Sequence, residues 1–168
     1  DWSSDVCSSD LLASHGATDL AEHRVEPLRR AIATFGTHLC RLDLRQNSAV
    51  HEHVVADLMG PTGVDYVNES EERRVEMLTD VLTGASPLEP ATEVDATTAS
   101  ELEVLATAAR AQRRHGRTVL GQLIISKAES VSDVLEVAVL ADHAGLERLD
   151  IAPLFETIAD LDRKSTRL

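Results

Sequence analysis

At 168 residues, with 43% hydrophobic and 27% charged residues, the chain has the composition of a soluble globular protein with room for one domain and a sizeable core. A formal net charge of -13 and a pI of about 4.8 exclude a broad nucleic-acid surface, which needs a basic patch, but leave room for local positive charge around an anion. Aromatics are scarce at 2%, no apolar run approaches the roughly 20 residues of a membrane span, and Cys7 with Cys40 makes neither a disulfide framework nor a zinc site. These features predict a cytosolic protein, without membrane or nucleic-acid partners, whose core rests on Leu, Val, Ile and Ala.

The two ends stand apart. Asp1–Leu11 (DWSSDVCSSDL) is Ser/Asp-rich and aperiodic, without the basic start and apolar middle of a signal peptide. Back-translated with permissible codons it resembles a sequencing adapter, and Asp162–Leu168 (DRKSTRL) yields the reverse complement of part of the same string. Both segments are expected to be read-through, leaving Leu12–Leu161 as the natural part, cut from something longer.

Within that part a helical pattern covers Leu12 to Thr34, broken at Gly16 and restarted near Pro27, with Leu20, Val25, Leu28 and Ile32 on one face. A first strand is expected over Thr37 to Arg45. Asn47-Ser48 then caps a helix from Ala49 to Met59, stopped by Gly60-Pro61. Asn68 and Glu71 suggest a capping box for a helix to Thr83, with Val75, Leu78 and Leu82 as its stripe. Ala85 to Ala96 reads as a loop. Thr98 and Glu101 open the next helix, with Leu102, Leu105 and Ala109 facing inward and Gly116 as the stop. Thr118 to Ser126 is a mostly apolar strand of the kind buried on both faces. Ser130 or Ser132 caps a helix from Asp133 to Ala144, and Gly145 ends it.

The last strand begins at Leu149 and delivers a carboxylate, Glu156, to its C-terminal end just before a new helical pattern. A strand feeding a helix with an acid at the junction is how α/β barrels present catalytic groups. The first strand brings Arg45 to a comparable place, and the second brings Ser126-Lys127. The expected fold class is therefore α/β, helix-rich, with about three parallel strands. Arg45 and Glu156 are expected to face one site.

Each candidate has a plainer alternative. Arg45 can grip phosphate or carboxylate with two parallel hydrogen bonds, or pair internally with Asp43 or a helix carboxylate. Glu156 offers a hard oxygen suited to magnesium or manganese, or simply an acid at a helix N-terminus. His51-Glu52-His53 is not a zinc motif, since Val55 stands where HExxH needs histidine. Adjacent helical residues diverge by about 100°, so a solvated helix start is expected there. Ser126-Lys127 can touch an anion or lie at the surface, and Cys40 reads as a core residue.

Three stretches carry a family resemblance: Phe35 to His51 (FGTHLCRLDLRQNSAVH), Ile124 to Leu140 (IISKAESVSDVLEVAVL) and Leu149 to Leu161 (LDIAPLFETIADL). Together, in this order and with the Ser86-Pro87-Leu88 loop between them, they resemble phosphoenolpyruvate carboxylase over essentially all of Leu12–Leu161. The resemblance implies the central part of a larger, mostly helical enzyme built around an eight-stranded barrel, homotetrameric at full length, so that this chain is a partial TIM-like barrel with about three of the eight strands. It implies that Arg45, in LDLRQ, contacts phosphoenolpyruvate and that Glu156, in PLFET, binds Mg2+ or Mn2+. The implied reaction is anaplerotic. Bicarbonate attacks the phosphate of phosphoenolpyruvate, and the carbon dioxide then released is captured by the enolate to give oxaloacetate and inorganic phosphate.

The family's catalytic histidine motif, second metal carboxylate and Gly/Arg-rich loop are not present in this sequence, so the chain by itself is expected to be inactive. Two other readings stand beside this one: another metal-dependent phosphoenolpyruvate or pyruvate barrel enzyme, and a non-catalytic α/β binding protein in which Arg45 and Glu156 are structural.

Overall fold

The computed structural model describes residues 10–36, 41–88 and 93–158. The expected read-through segments lie outside the described residues apart from Asp10 and Leu11, as do Cys7, Cys40, the start of the expected first strand and the helix expected beyond Ile158. The chain divides into two compact units, Asp1–Arg41 and Leu42–Leu168.

In the first unit a helical turn at Thr18–Leu20 passes through a π turn, Ala21–Val25, into helix α1, Glu26–Phe35. Pro27 therefore marks the expected restart, the regular helix being interrupted just before it by the π turn. It sits in the first turn of α1, and the wide π turn lies directly ahead of it, where a regular helix would lack a hydrogen bond and crowd the proline ring. Of the expected one-faced stripe, Val25 is half-buried while Leu20, Leu28 and Ile32 are exposed, with Phe35 beside them. Glu26 instead ties the outer surface together, accepting from Arg29 Nε at 2.8 Å and Arg30 Nε at 3.1 Å.

The second unit is a three-stranded parallel sheet in the order β1-β2-β3, with β1 at Leu42–Asn47, β2 at Leu120–Ser126 and β3 at Asp150–Pro153. Parallel neighbours require crossovers. The first crossover holds α2 (Ser48–Met59), α3 (Glu71–Leu82) and α4 (Ala96–His115), and the second holds α5 (Val131–His143).

The caps explain where these helices start. Asn47 Oδ1 accepts from Ala49 N at 3.0 Å, as expected. The cap of α3 is Ser70, which accepts from Arg73 N at 3.3 Å. Asn68 lies in a separate 3-10 turn and bonds Asp65. The expected Asn68–Glu71 box is absent because Glu71 reaches across space instead, accepting from Ser132 N at 3.0 Å and Ser132 Oγ at 2.7 Å at the start of α5. Helix α4 begins two residues early, since Asp95 accepts from Thr98 N at 2.8 Å. For α5, Asp133 Oδ2 accepts from Ser130 N at 2.8 Å.

Helices cover one face of the sheet. Val54, Val55, Leu58, Leu78, Leu105 and Leu140 pack with Leu123 and Ile125 of β2 in one buried cluster. Full burial of each large apolar side chain contributes roughly 1.5–3 kcal/mol. β2 departs from the expectation of burial on both faces. Leu123 and Ile125 are buried, whereas Gln122, Ile124 and Ser126 on the other face are only partly so.

That second face carries a bulge. Leu42 pairs with Leu120 but Leu44 with Leu123, so β2 holds one extra residue. The extra residue takes Gln122 N out of the ladder, and Asp43 Oδ1 accepts from it at 3.2 Å. Gly121 makes this possible, because a Cβ there would stand 2.2 Å from Asp43 Oδ1. Gly121→Ala is expected to displace the Asp43 carboxylate and destabilise the fold by about 1–3 kcal/mol. In an Asp43→Ala background the same change should cost much less, a non-additivity readable by urea unfolding.

Candidate active site

A parallel sheet gathers all its C-terminal strand ends along one edge. Here that edge carries Arg45 to Asn47, then Ser126 and Lys127, then Leu154 to Glu156. Asn47 is in register with Ser126, Arg45 with Ile124, and Ile124 with Ala152. Alternation along β1 splits its two polar residues between the faces. Gln46 turns to the helical layer and donates through Nε2 to the buried Glu101 carboxylate on α4 at 2.9 Å. Arg45 lies on the other face, exposed, and donates through Nε to Ser126 Oγ at 3.1 Å.

The expected strand ends shift slightly. β1 runs two residues past Arg45, to Asn47, and β3 stops at Pro153, so Glu156 stands in the connection beyond the strand. β3 stays attached for one more residue, because Leu154 N donates to Ile125 O at 2.8 Å and Leu154 O accepts from Ala128 N at 3.0 Å. Glu156 is exposed and has no hydrogen-bond partner among the described residues. Arg45 and Glu156 thus reach the same edge of the sheet from strands on either side of β2.

Among the described residues the plainer alternative for Arg45 does not form. Asp43 is engaged with Gln122 N, and among the described residues Arg45 has Ser126 as its partner rather than a carboxylate. Lys127 is exposed and takes the only positive φ of a non-glycine residue among the described residues, 54°. Its carbonyl accepts from Ser48 Oγ at 2.8 Å, which ties the β1–α2 turn to the β2–α5 turn. Neither feature has a sequence signal. Nothing in a lysine announces left-handed backbone, and the Ser48 hydroxyl acts across 79 residues of chain.

A metal would meet a hard carboxylate oxygen at Glu156, the donor type that suits Mg2+ or Mn2+. No group of three His, Cys, Asp or Glu residues that could hold an ion occurs among the described residues. Glu156 is of the right donor type to be one protein ligand of such an ion.

His51, Glu52 and His53 diverge as expected, but His51 and Glu52 are not solvated. His51 is 1% exposed with both ring nitrogens unpartnered, and burial lowers its pKa to about 4. Glu52 pairs with Arg74 at 2.7 Å, and His53 Nε2 lies 2.6 Å from Asp95 Oδ2. Behind them Tyr66 Oη donates to the fully buried Glu136 Oε1 at 2.8 Å, and the Arg74 guanidinium lies 5.1 Å from the Tyr66 ring centroid. Burial raises the Glu136 pKa to about 8 and holds the Tyr66 hydroxyl protonated.

A sequence profile of the phosphoenolpyruvate carboxylase family matches residues 5–168. The chain belongs to the phosphoenolpyruvate carboxylase family. It is 45% identical over 166 residues to the phosphoenolpyruvate carboxylase of Azorhizobium caulinodans, covering 94% of this chain. It is 44% identical to that of Aromatoleum aromaticum, with 94% of this chain covered, and 44% identical to that of Mycobacterium leprae, with 89% covered. The chain spans only about 17–18% of the length of these carboxylases. Among the described residues no helix is long and apolar enough to cross a membrane.

Proposed function

We propose that this chain is the central part of a longer phosphoenolpyruvate carboxylase, a cytoplasmic, homotetrameric, anaplerotic lyase that forms oxaloacetate and phosphate from phosphoenolpyruvate and bicarbonate. In this proposal residues 12–161 are the carboxylase part and residues 1–11 and 162–168 are adapter-derived ends, which the family match, running over residues 5–168, overlaps on both sides. The three strands belong to an eight-stranded TIM-like barrel, whose lumen is the sheet face bearing Arg45 and Ser126.

The observation that carries this reading is the family match across residues 5–168. The motif residues Arg45 and Glu156 support it, since they stand at the C-terminal edge of a parallel sheet, where barrel enzymes keep their chemistry. The match to this one family weighs against the two other readings, a different barrel enzyme and a non-catalytic binding protein.

In the proposed site Arg45 holds an oxygen pair of phosphoenolpyruvate. A transferred phosphoryl group needs positioning and charge stabilisation more than covalent help, and a fixed guanidinium supplies both. Glu156 contributes one oxygen to the divalent ion. When bound, Mg2+ or Mn2+ neutralises charge developing on enolate and phosphate oxygens. Gln46, pinned to Glu101, fixes the strand that aims Arg45. The chain alone lacks the family's histidine motif and second metal carboxylate, and makes no oxaloacetate.

Arg45→Ala in the full-length enzyme tests the assignment. It is expected to lower kcat/KM for phosphoenolpyruvate by roughly a hundred- to a thousandfold, with little change in melting temperature because the side chain is exposed. An unchanged kcat/KM would remove Arg45 from the site.

A further inference from the structure

A guanidinium offers an anion two bidentate edges, the side-on pair of Nε–H with one Nη–H, and the end-on pair of Nη1–H with Nη2–H. In Arg45 the choice is made before any ligand arrives. Ser126 Oγ accepts the Nε–H at 3.1 Å, and no other hydrogen-bond partner of the guanidinium occurs among the described residues.

We infer that Ser126 is a positioning residue: it occupies the side-on edge of Arg45 and leaves the end-on pair to grip the anionic substrate. This inference rests on the reading of Arg45 as the phosphoenolpyruvate contact and specifies how the contact is made.

The turn that carries Ser126 is built for that task. Directly after it Lys127 adopts left-handed backbone, φ 54°, a conformation that non-glycine residues rarely take and that persists where neighbours over-determine it. Those neighbours are present on both sides. Ser48 Oγ donates to Lys127 O at 2.8 Å from the β1 side, and Ala128 N donates to Leu154 O at 3.0 Å on the β3 side. Ser126 is thereby clamped between the strand of Arg45 and the segment leading to Glu156. Anchoring a long side chain in advance removes an ordering penalty that binding would otherwise carry.

The test is a coupling measurement in the full-length carboxylase. Ser126→Ala is expected to raise KM for phosphoenolpyruvate about five- to tenfold, the size of one lost hydrogen bond of ordinary net strength, while KM for bicarbonate moves less than about twofold. In an Arg45→Lys background, where no Nε–H edge exists, the same change should add less than about twofold. Thr and Val at position 126 keep the strand shape and differ by the hydroxyl, so Ser126→Thr is expected to retain most of the affinity and Ser126→Val to match Ser126→Ala. Equal effects of Ser126→Ala in the Arg and Lys backgrounds, or equal KM for the Thr and Val variants, overturn the positioning role. Arg45→Lys with an unchanged KM for phosphoenolpyruvate would instead overturn the underlying assignment of Arg45.

Discussion

Glu156→Gln in the full-length carboxylase is expected to lower metal-dependent turnover by roughly a hundredfold or more. Glutamine keeps the shape but replaces a charged hard donor with a neutral carbonyl oxygen. Lewis-acid stabilisation by a bound divalent ion contributes several kcal/mol to the transition state, and each 1.36 kcal/mol is tenfold in rate. Losing even half of that stabilisation gives the stated effect. Part of the loss should return at high Mg2+ or Mn2+, because weaker coordination is offset by mass action. The fold should be indifferent, since Glu156 is exposed and unpartnered among the described residues. Metal titration of activity in parallel with a melting curve separates the two effects. An identical metal activation curve for parent and variant would return Glu156 to the role of a helix-terminal acid.

The second large effect is on stability and comes from groups outside the site. Glu136 is fully buried, with its pKa raised to about 8 from an unfolded value near 4.5. Between these values the folded state holds a proton that the unfolded state has released. Stability from this group is therefore fully present below about pH 4.5 and is lost as pH rises through about 8. His51 works in the opposite sense. Its folded pKa of about 4 lies below its unfolded value of 6.5, so its contribution is present above about pH 6.5 and is lost as pH falls through about 4. The two slopes oppose one another from about pH 4.5 to 6.5, and only the Glu136 slope acts from about 6.5 to 8. Unfolding free energy should be nearly flat in the lower window and fall by about 2 kcal/mol across the upper one. Glu136→Gln keeps an acceptor for Tyr66 without a titrating proton, so its upper-window slope should vanish and its stability should exceed the parent's above pH 8. Urea unfolding across pH reads this directly, and a Glu136→Gln profile parallel to the parent's would refute the assignment.

Much of the frame was legible because it is periodic or local. The cap at Asn47, the Leu105 and Leu140 stripes and all three strands follow from spacing and short-range chemistry. Errors arose where a side chain acts at a distance. Glu71 resembles a local capping partner, yet it caps α5 through Ser132, 61 residues away. Glu101 reads as an acid in the opening turn of α4, yet it is buried against Gln46, 55 residues away. The exposed stripe of α1 shows the converse limit: amphipathic spacing says that a face is apolar, not what covers it. For the site, strand-end position and motif singled out Arg45 and Glu156. The anchoring of Arg45 by Ser126, and the left-handed Lys127 behind it, required coordinates.

The most direct test of the central claim is oxaloacetate formation from phosphoenolpyruvate and bicarbonate with Mg2+ or Mn2+. It should be assayed side by side for the 168-residue chain and for the full-length polypeptide that carries it. Bicarbonate-dependent oxaloacetate from the long polypeptide and none from the short one is the predicted result. No oxaloacetate from the long polypeptide, or turnover by the short one alone, would contradict the account.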